Sequence, residues 1–353
     1  MRPILAAILS VSGTSLSDAE KKLLEKSNPL GVSLFARNLK TKNQVKALIE
    51  NIKETIGRDD VLIALDQEGG RVNRLLSCGG MRYASQSLLS KIHDQKIVEA
   101  HAKLISADMK EIGANFNFAP VLDLDYPDTT TALKTRSFGG DVRLVSRYGK
   151  VLCRTYEKYG ICPCIKHLPG HGRAVSDPHL NLPIINFKIS DLSTDFAPFI
   201  FNKDCPSAMT AHILIPEVDA KNPITFSKKG VRDIIRGIIG YQGFLISDAL
   251  EMHALKGSVS ERVHSSLNAG LDAVCYCMGD FKGLQEVADT KRCLSDISLE
   301  RFQKIRHILK THSSQRKLDS LKENYYSKIN LFEEDVVKYD ATEVLFCLKK
   351  GEC

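Results

Sequence analysis

The stretch VLIALDQEGGRVNRL, Val61 to Leu75, changes character at its sixth residue. Five apolar residues in a row suit a strand buried on both faces, whereas a half-exposed strand would alternate. The run stops at Asp66, and Glu68, Arg71 and Arg74 follow around the glycine pair Gly69 and Gly70. A parallel sheet covered by helices keeps its chemistry at this end of its strands.

The same grammar recurs along the chain. Apolar runs at 4–11, 31–36, 61–65, 115–120, 161–166, 207–212, 243–247 and 272–277 read as strands. Amphipathic patterns at 18–27, 42–56, 86–112, 142–159, 189–202, 227–239, 259–269 and 281–293 read as the helices between them, several opening on Ser or Asp. Eight such units predict an α/β protein built as a closed (β/α)8 TIM-type barrel, with a doubly wound open sheet as the alternative. Residues 1–313 are expected to form the catalytic barrel and 314–353 a C-terminal helical tail, too short for an ordinary second domain.

Composition narrows the class. The 353 residues are 43% hydrophobic and carry no long biased tract, as a globular protein does. The balance of 49 Lys and Arg against 42 Asp and Glu is spread without blocks of like charge, and Trp is absent. Nucleic-acid binding concentrates positive charge beside stacking aromatics, so it is disfavoured. No segment reaches ~18 apolar residues, so no membrane span is expected. The N-terminal MRPILAAILSVSG has a short apolar core and no clear small-residue cleavage site, and reads better as a buried first strand before a Ser17-capped helix than as a secretion signal. The ten cysteines are irregularly spaced, with Cys162 and Cys164, and Cys275 and Cys277, alternating within strands. Buried free thiols in a reducing, cytoplasmic compartment fit this pattern. A monomer is expected.

Ionisable residues end five consecutive strands: Asp66 with Glu68, Arg71 and Arg74; Asp123 and Asp125, then Arg136; Lys166 with His167; His212; and Asp248. Singly, each is more readily a cap or turn former. Together around one mouth they are costly unless they bind one another, a ligand or a metal. Asp66, an acceptor, suits paired hydroxyls of a polyol, and Arg74, Arg136 and Lys166 add donors to the same pocket. Asp248 follows its apolar strand directly and suits a nucleophile, with a helix cap near Leu250 as the equal alternative. In KHLPGHGRAVSDPH, Lys166 to His179, Pro178 biases Asp177 toward extended geometry and so puts Asp177 and His179 on one side. An Asp that holds one imidazole nitrogen makes the other a general acid and base. His171 reads as structural.

Three functions are compatible with these residues. One is a glycosidase using Asp248 and His179. A second is a metal-dependent barrel hydrolase with His167, His171, His179, His212 and acidic residues as ligands, although no H-x-H or H-E-x-x-H spacing is present. The third is a sugar-binding protein without catalysis.

The segments LFARN (34–38), LDQEGGRVNRL (65–75), NFAPVLD (117–123), KTRSFGG (134–140), KHLPGHG (166–172), DPH (177–179), MTAHILIPEVD (209–219) and SDALEM (247–252) resemble glycoside hydrolase family 3, most of all its single-domain β-N-acetylglucosaminidases of peptidoglycan recycling. The resemblance implies a retaining exo-hydrolase that removes terminal β-linked N-acetylglucosamine from muropeptides with an anhydro-N-acetylmuramic acid unit, and needs no cofactor or metal. It implies Asp248 as nucleophile, His179 as proton donor, Asp177 as its partner, and Asp66, Arg74, Arg136, Lys166 and His167 as sugar-binding residues. Two positions depart from the family pattern: Pro178 where D-S-H is usual, and Ala249 where S-D-D is usual. Water or phosphate as acceptor stays open.

Overall fold

Side chains on a strand alternate between its two faces, and in a closed barrel one face looks into the lumen and the other onto the helices. The first strand divides accordingly: Ile4, Ala6 and Ile8 join the interior cluster, while Leu5, Ala7 and Leu9 join the outer one. The computed structural model describes residues 2–178, 181–311 and 318–330. Its strands are β1 (Leu5–Ser10), β2 (Pro29–Ser33), β3 (Leu62–Leu65), β4 (Gln67–Gly69), β5 (Val72–Asn73), β6 (Phe116–Asn117), β7 (Cys162–Leu168), β8 (Ser207–Thr210), β9 (Phe244–Ala249) and β10 (Ala273–Cys275).

Eight of these close into a parallel barrel in the order β1-β10-β9-β8-β7-β6-β3-β2, and β4 and β5 form a separate antiparallel hairpin. The last strand returns to the first through Ala7 opposite Val274 and Ile8 opposite Cys275. The doubly wound alternative is thereby excluded. All eight expected strands are present. Cys162, Cys164, Cys275 and Cys277 face the interior with Phe116, Phe244 and Ile246. The eight described cysteines are free thiols, and only Cys293 is exposed.

The helices are α1 (Asp18–Ser27), α2 (Lys42–Ile56), α3 (Gln86–Ile92), α4 (Gln95–Ile112), α5 (Val142–Lys158), α6 (Ser193–Phe201), α7 (Val259–Ala269), α8 (Phe281–Asp289), α9 (Asp296–Leu309) and α10 (Leu318–Ile329). Ser17 caps α1 in a full capping box with Glu20, as its sequence predicts. The helix expected over 86–112 is two helices, because His93 takes φ 53° and ends α3 while Asp94 caps α4 through the Lys96 N–H at 2.9 Å. The helix expected over 227–239 is a π-helical stretch, Gly230–Ile238. The pattern over 281–293 stops at Asp289, after which Lys291 takes φ 51° and the Leu294 N–H returns to the Ile4 carbonyl at 2.9 Å.

Below the strands, α9 inserts Phe302, Ile305 and Ile308 into the interior cluster and closes that end of the barrel. The expected tail is represented by α10, which packs on α3 and α4; residues 314–317 and 331–353 lie outside the described residues. Among the described residues no helix is long and apolar enough to cross a membrane.

Candidate active site

At the carboxyl ends of the strands a cavity opens between Phe35, Asp66, Arg74, Arg136, Lys166, His167, Asp177 and Asp248, with Arg37, Arg71, His171, Glu251 and Met252 also in its wall. It therefore gathers all the site residues expected from the sequence except His179. His179 and Leu180 lie outside the described residues.

Lys166 is the hub. It leaves β7 with its side chain 2% exposed, and its ammonium lies 2.8 Å from Asp66 and 2.6 Å from Glu68. Glu68, equally buried, accepts from Arg136 Nε at 2.9 Å and Nη2 at 2.7 Å, a two-pronged pair. Arg74 lies 3.9 Å from the other Asp66 oxygen and stacks its guanidinium over Phe35. Two carboxylates thus stand among three cations, which makes so much buried charge tolerable. Burial alone would raise the Glu68 carboxyl, yet Arg136 and Lys166 hold it well below the usual carboxylate range. Burial likewise opposes the Lys166 charge, and Asp66 and Glu68 overcome it and raise its pKa.

Glu68 reaches this position because β4 and β5 turn the chain back at Gly69 and Gly70, which take φ 103° and 58°. The glycine pair is thus a hairpin turn, and Asp66 is no turn cap. Asp66 keeps one side on the cation pair and the other on the cavity.

A second buried pair orients the histidines. Asp123, fully enclosed, lies 2.6 Å from His167 Nδ1 and accepts the His171 N–H at 2.7 Å. Burial pushes the Asp123 carboxyl up, but His167 and the backbone donor bring it below its ordinary value. The His167 ring is fixed by this bond with its edge toward the cavity. His171 packs against it, ring centroids 6.0 Å apart, and among the described residues neither ring nitrogen has a hydrogen-bond partner. Burial lowers its pKa to about 4, so it stays neutral near pH 7. The structural reading of His171 fits this setting.

Asp248 lies half-buried at the end of β9, where Ala249 N–H donates to its Oδ1 at 2.8 Å. It caps no helix: a turn follows, and α7 begins only at Val259 under a Ser258 cap. Across the cavity, Asp177 precedes Pro178, whose carbonyl accepts the Ala254 N–H at 3.2 Å. The loop carrying the expected acid is thus tied to the loop that follows the expected nucleophile.

The metal reading asks for His167, His171, His179, His212 and acidic residues on one ion, of which His179 lies outside the described residues. His212 is fully buried, with Nδ1 2.8 Å from the Thr225 hydroxyl and Nε2 3.0 Å from the Ala249 carbonyl. Among the described residues, no group of three His, Cys, Asp or Glu side chains is placed to hold a metal.

Glu68 and Asp123 follow strands in the sequence, but nothing in a linear pattern says that their partners are Arg136 and His167. Glu251, whose carboxylate accepts the Cys277 N–H at 3.1 Å, carries no signal in the sequence because it lies beyond the strand end in a turn.

Comparison with known proteins places these features in a family. The "Glycosyl hydrolase family 3 N terminal domain" matches residues 5–310. A Beta-hexosaminidase of Bordetella avium is 34% identical over 281 residues, 76% of this chain and 79% of that protein. One of Methylobacillus flagellatus is 32% identical over 306 residues, 84% of this chain and 86% of that protein. The structure of NagZ from Neisseria gonorrhoeae in complex with N-trifluoroacetyl-D-glucosamine superposes with TM-score 0.82 at 27% identity, over 93% of this chain and 98% of that one. With matches that run from the first barrel strand to the helix closing its floor, the chain belongs to glycosyl hydrolase family 3 and is a glycoside hydrolase of the β-hexosaminidase type.

Proposed function

We propose that the protein is a retaining exo-β-N-acetylglucosaminidase that removes a terminal non-reducing N-acetylglucosamine, with anhydro-N-acetylmuramic acid muropeptides as its cytoplasmic substrates in cell-wall recycling. The observation that carries this reading is the setting of Asp248, half-buried at a barrel strand end and opening on the same cavity as Asp177 and the Asp66–Lys166 pair. Asp248 attacks the anomeric carbon as the glycosidic C–O bond breaks, and His179, held by Asp177, gives its proton to the departing oxygen. Water then attacks the glycosyl-aspartate, neutral His179 takes its proton, and the sugar leaves with its configuration retained. Asp66, Arg74, Arg136, Lys166 and His167 hold the sugar. The names of the relatives and the N-trifluoroacetyl-D-glucosamine bound by the neisserial neighbour speak for an N-acetylated sugar.

Residues 1–313 carry the catalysis in this reading, and 314–353 form a C-terminal helical tail on the barrel. The family match ending at 310 and α9 closing the barrel at Leu309 support that division.

The test is an aryl N-acetyl-β-glucosaminide run beside the matching β-glucoside, with and without a chelator. Turnover of the N-acetylated substrate alone is expected, unchanged by chelator, and Asp248→Ala should lower kcat by roughly a thousandfold or more. Preference for the glucoside refutes the substrate, and chelator sensitivity revives the metal reading.

A further inference from the structure

One fully buried hydrogen-bond chain has no part in this reaction scheme, and it begins on α10. Tyr325 has no exposed surface. Its Oη accepts the Ala84 N–H at 2.9 Å and lies 2.8 Å from His101 Nδ1. His101, equally buried on α4, has Nε2 3.1 Å from the carbonyl oxygen of Glu68. A carbonyl only accepts, so Nε2 carries the hydrogen and Nδ1 accepts from the tyrosine hydroxyl. Donation then runs one way along these groups, from the Ala84 N–H to the Tyr325 hydroxyl, to His101 Nδ1, and from Nε2 to the Glu68 carbonyl.

The chain ends on the residue whose carboxylate holds Arg136 and Lys166. The hairpin bearing Glu68 is also clamped sterically from the same side. A Cβ on Gly69 would lie 2.1 Å from the Ala84 carbonyl oxygen and 2.9 Å from His101 Cε1, and the Gly70 N–H donates to the Tyr83 carbonyl at 2.9 Å. The Tyr83 ring meets His101 edge-on at 5.5 Å and Tyr325 at 6.4 Å.

We propose that Tyr325 is a positioning residue of the sugar site: α10, which lies beyond the matched residues 5–310, fixes Glu68 through His101 and so sets where Lys166 and Asp66 meet the sugar. Tyr325 touches no substrate and acts only through that chain. The kinetic half of this inference rests on the proposed glycosidase reading; the structural half does not.

The experiment uses the full chain, with Tyr325→Phe, His101→Gln and, as a control on the same helix, Tyr326→Phe. Hydrogen exchange of the segment 66–75 is read together with kcat and KM on the aryl N-acetyl-β-glucosaminide. Tyr325→Phe keeps the ring and removes only the hydroxyl, so exchange at 66–75 should quicken about tenfold, the size of one neutral hydrogen bond, and KM should rise several-fold with kcat little changed. His101→Gln should reproduce both effects and stands in should Tyr325→Phe fail to fold, while Tyr326→Phe should do neither. Unchanged exchange at 66–75, quickened exchange with unchanged KM, or equal effects from Tyr326→Phe each overturn the proposal. A parent enzyme that leaves the glycoside intact overturns the glycosidase reading instead, and the exchange comparison still decides whether Tyr325 holds the hairpin.

Discussion

Glu68 is surrounded by more positive charge than its single carboxylate balances, and that makes it the most sensitive residue of the cation cluster. Glu68→Gln keeps the shape but leaves Arg136 and Lys166 buried with only Asp66 as a counter-ion. Removing one partner of a buried pair costs about 3–5 kcal/mol, so the variant should unfold at clearly lower denaturant and bind sugar more weakly. A denaturation midpoint within error of the parent would show that Asp66 suffices. In the proposed mechanism His179 protonates the leaving oxygen in the first step, which predicts a different signature. His179→Ala should hurt glycosides with poor leaving groups far more than activated aryl glycosides, and equal losses on both would remove His179 from the acid role. Asp66, Arg74, Lys166 and Asp248 were legible because each ends or follows an apolar strand. The side-chain partners of Glu68 and Asp123 were not, since Glu68 meets Arg136 across 68 positions and Asp123 meets His167 across 44.

The elements that place these residues are of two kinds. The barrel strands announce themselves as apolar runs because both their faces are buried, so a linear pattern suffices to find them. The β4–β5 hairpin is too short to show any period, and only its glycine pair betrays it. Gly69 sits at φ 103° against the Ala84 backbone, where a side chain has neither the conformation nor the space. Gly69→Ala should therefore lower the melting temperature by several degrees and raise KM together, because the same movement that relieves the clash displaces Glu68. An unaltered KM would mean that the hairpin and the cation cluster are independent. The division of the expected 86–112 helix was hidden for another reason. Its break rests on a histidine in the left-handed region, with neither glycine nor proline to mark it. The π-helical stretch Gly230–Ile238 carries an ordinary amphipathic sequence, and nothing in it announces the wider turn.

At the scale of the whole molecule, the fold encloses two histidines that cannot easily be charged. Burial lowers His101 and His171 to about 4, against about 6.5 in an unfolded chain. As pH falls below 6.5 the unfolded state takes up both protons, while the folded state refuses them until near 4. Stability present above pH 6.5 is therefore lost across that window, by at most about 1.4 kcal/mol per pH unit for each histidine. Glu68 and Asp123 act in the other window. Their carboxyls are held below their ordinary values, so the stability they contribute is intact above about pH 4 and disappears only under stronger acid. Between pH 6.5 and 4 these two histidines should thus contribute a loss of stability, and unfolding near pH 5 should draw about two protons on their account. Calorimetry in buffers of different ionisation enthalpy measures that uptake directly. The double variant His101→Gln, His171→Gln should be less stable at neutral pH yet show a flatter fall of melting temperature toward pH 4. If the slope and the proton uptake stay as in the parent, the acid sensitivity arises elsewhere, and the neutrality of His101 that lets Nδ1 accept from Tyr325 loses its support.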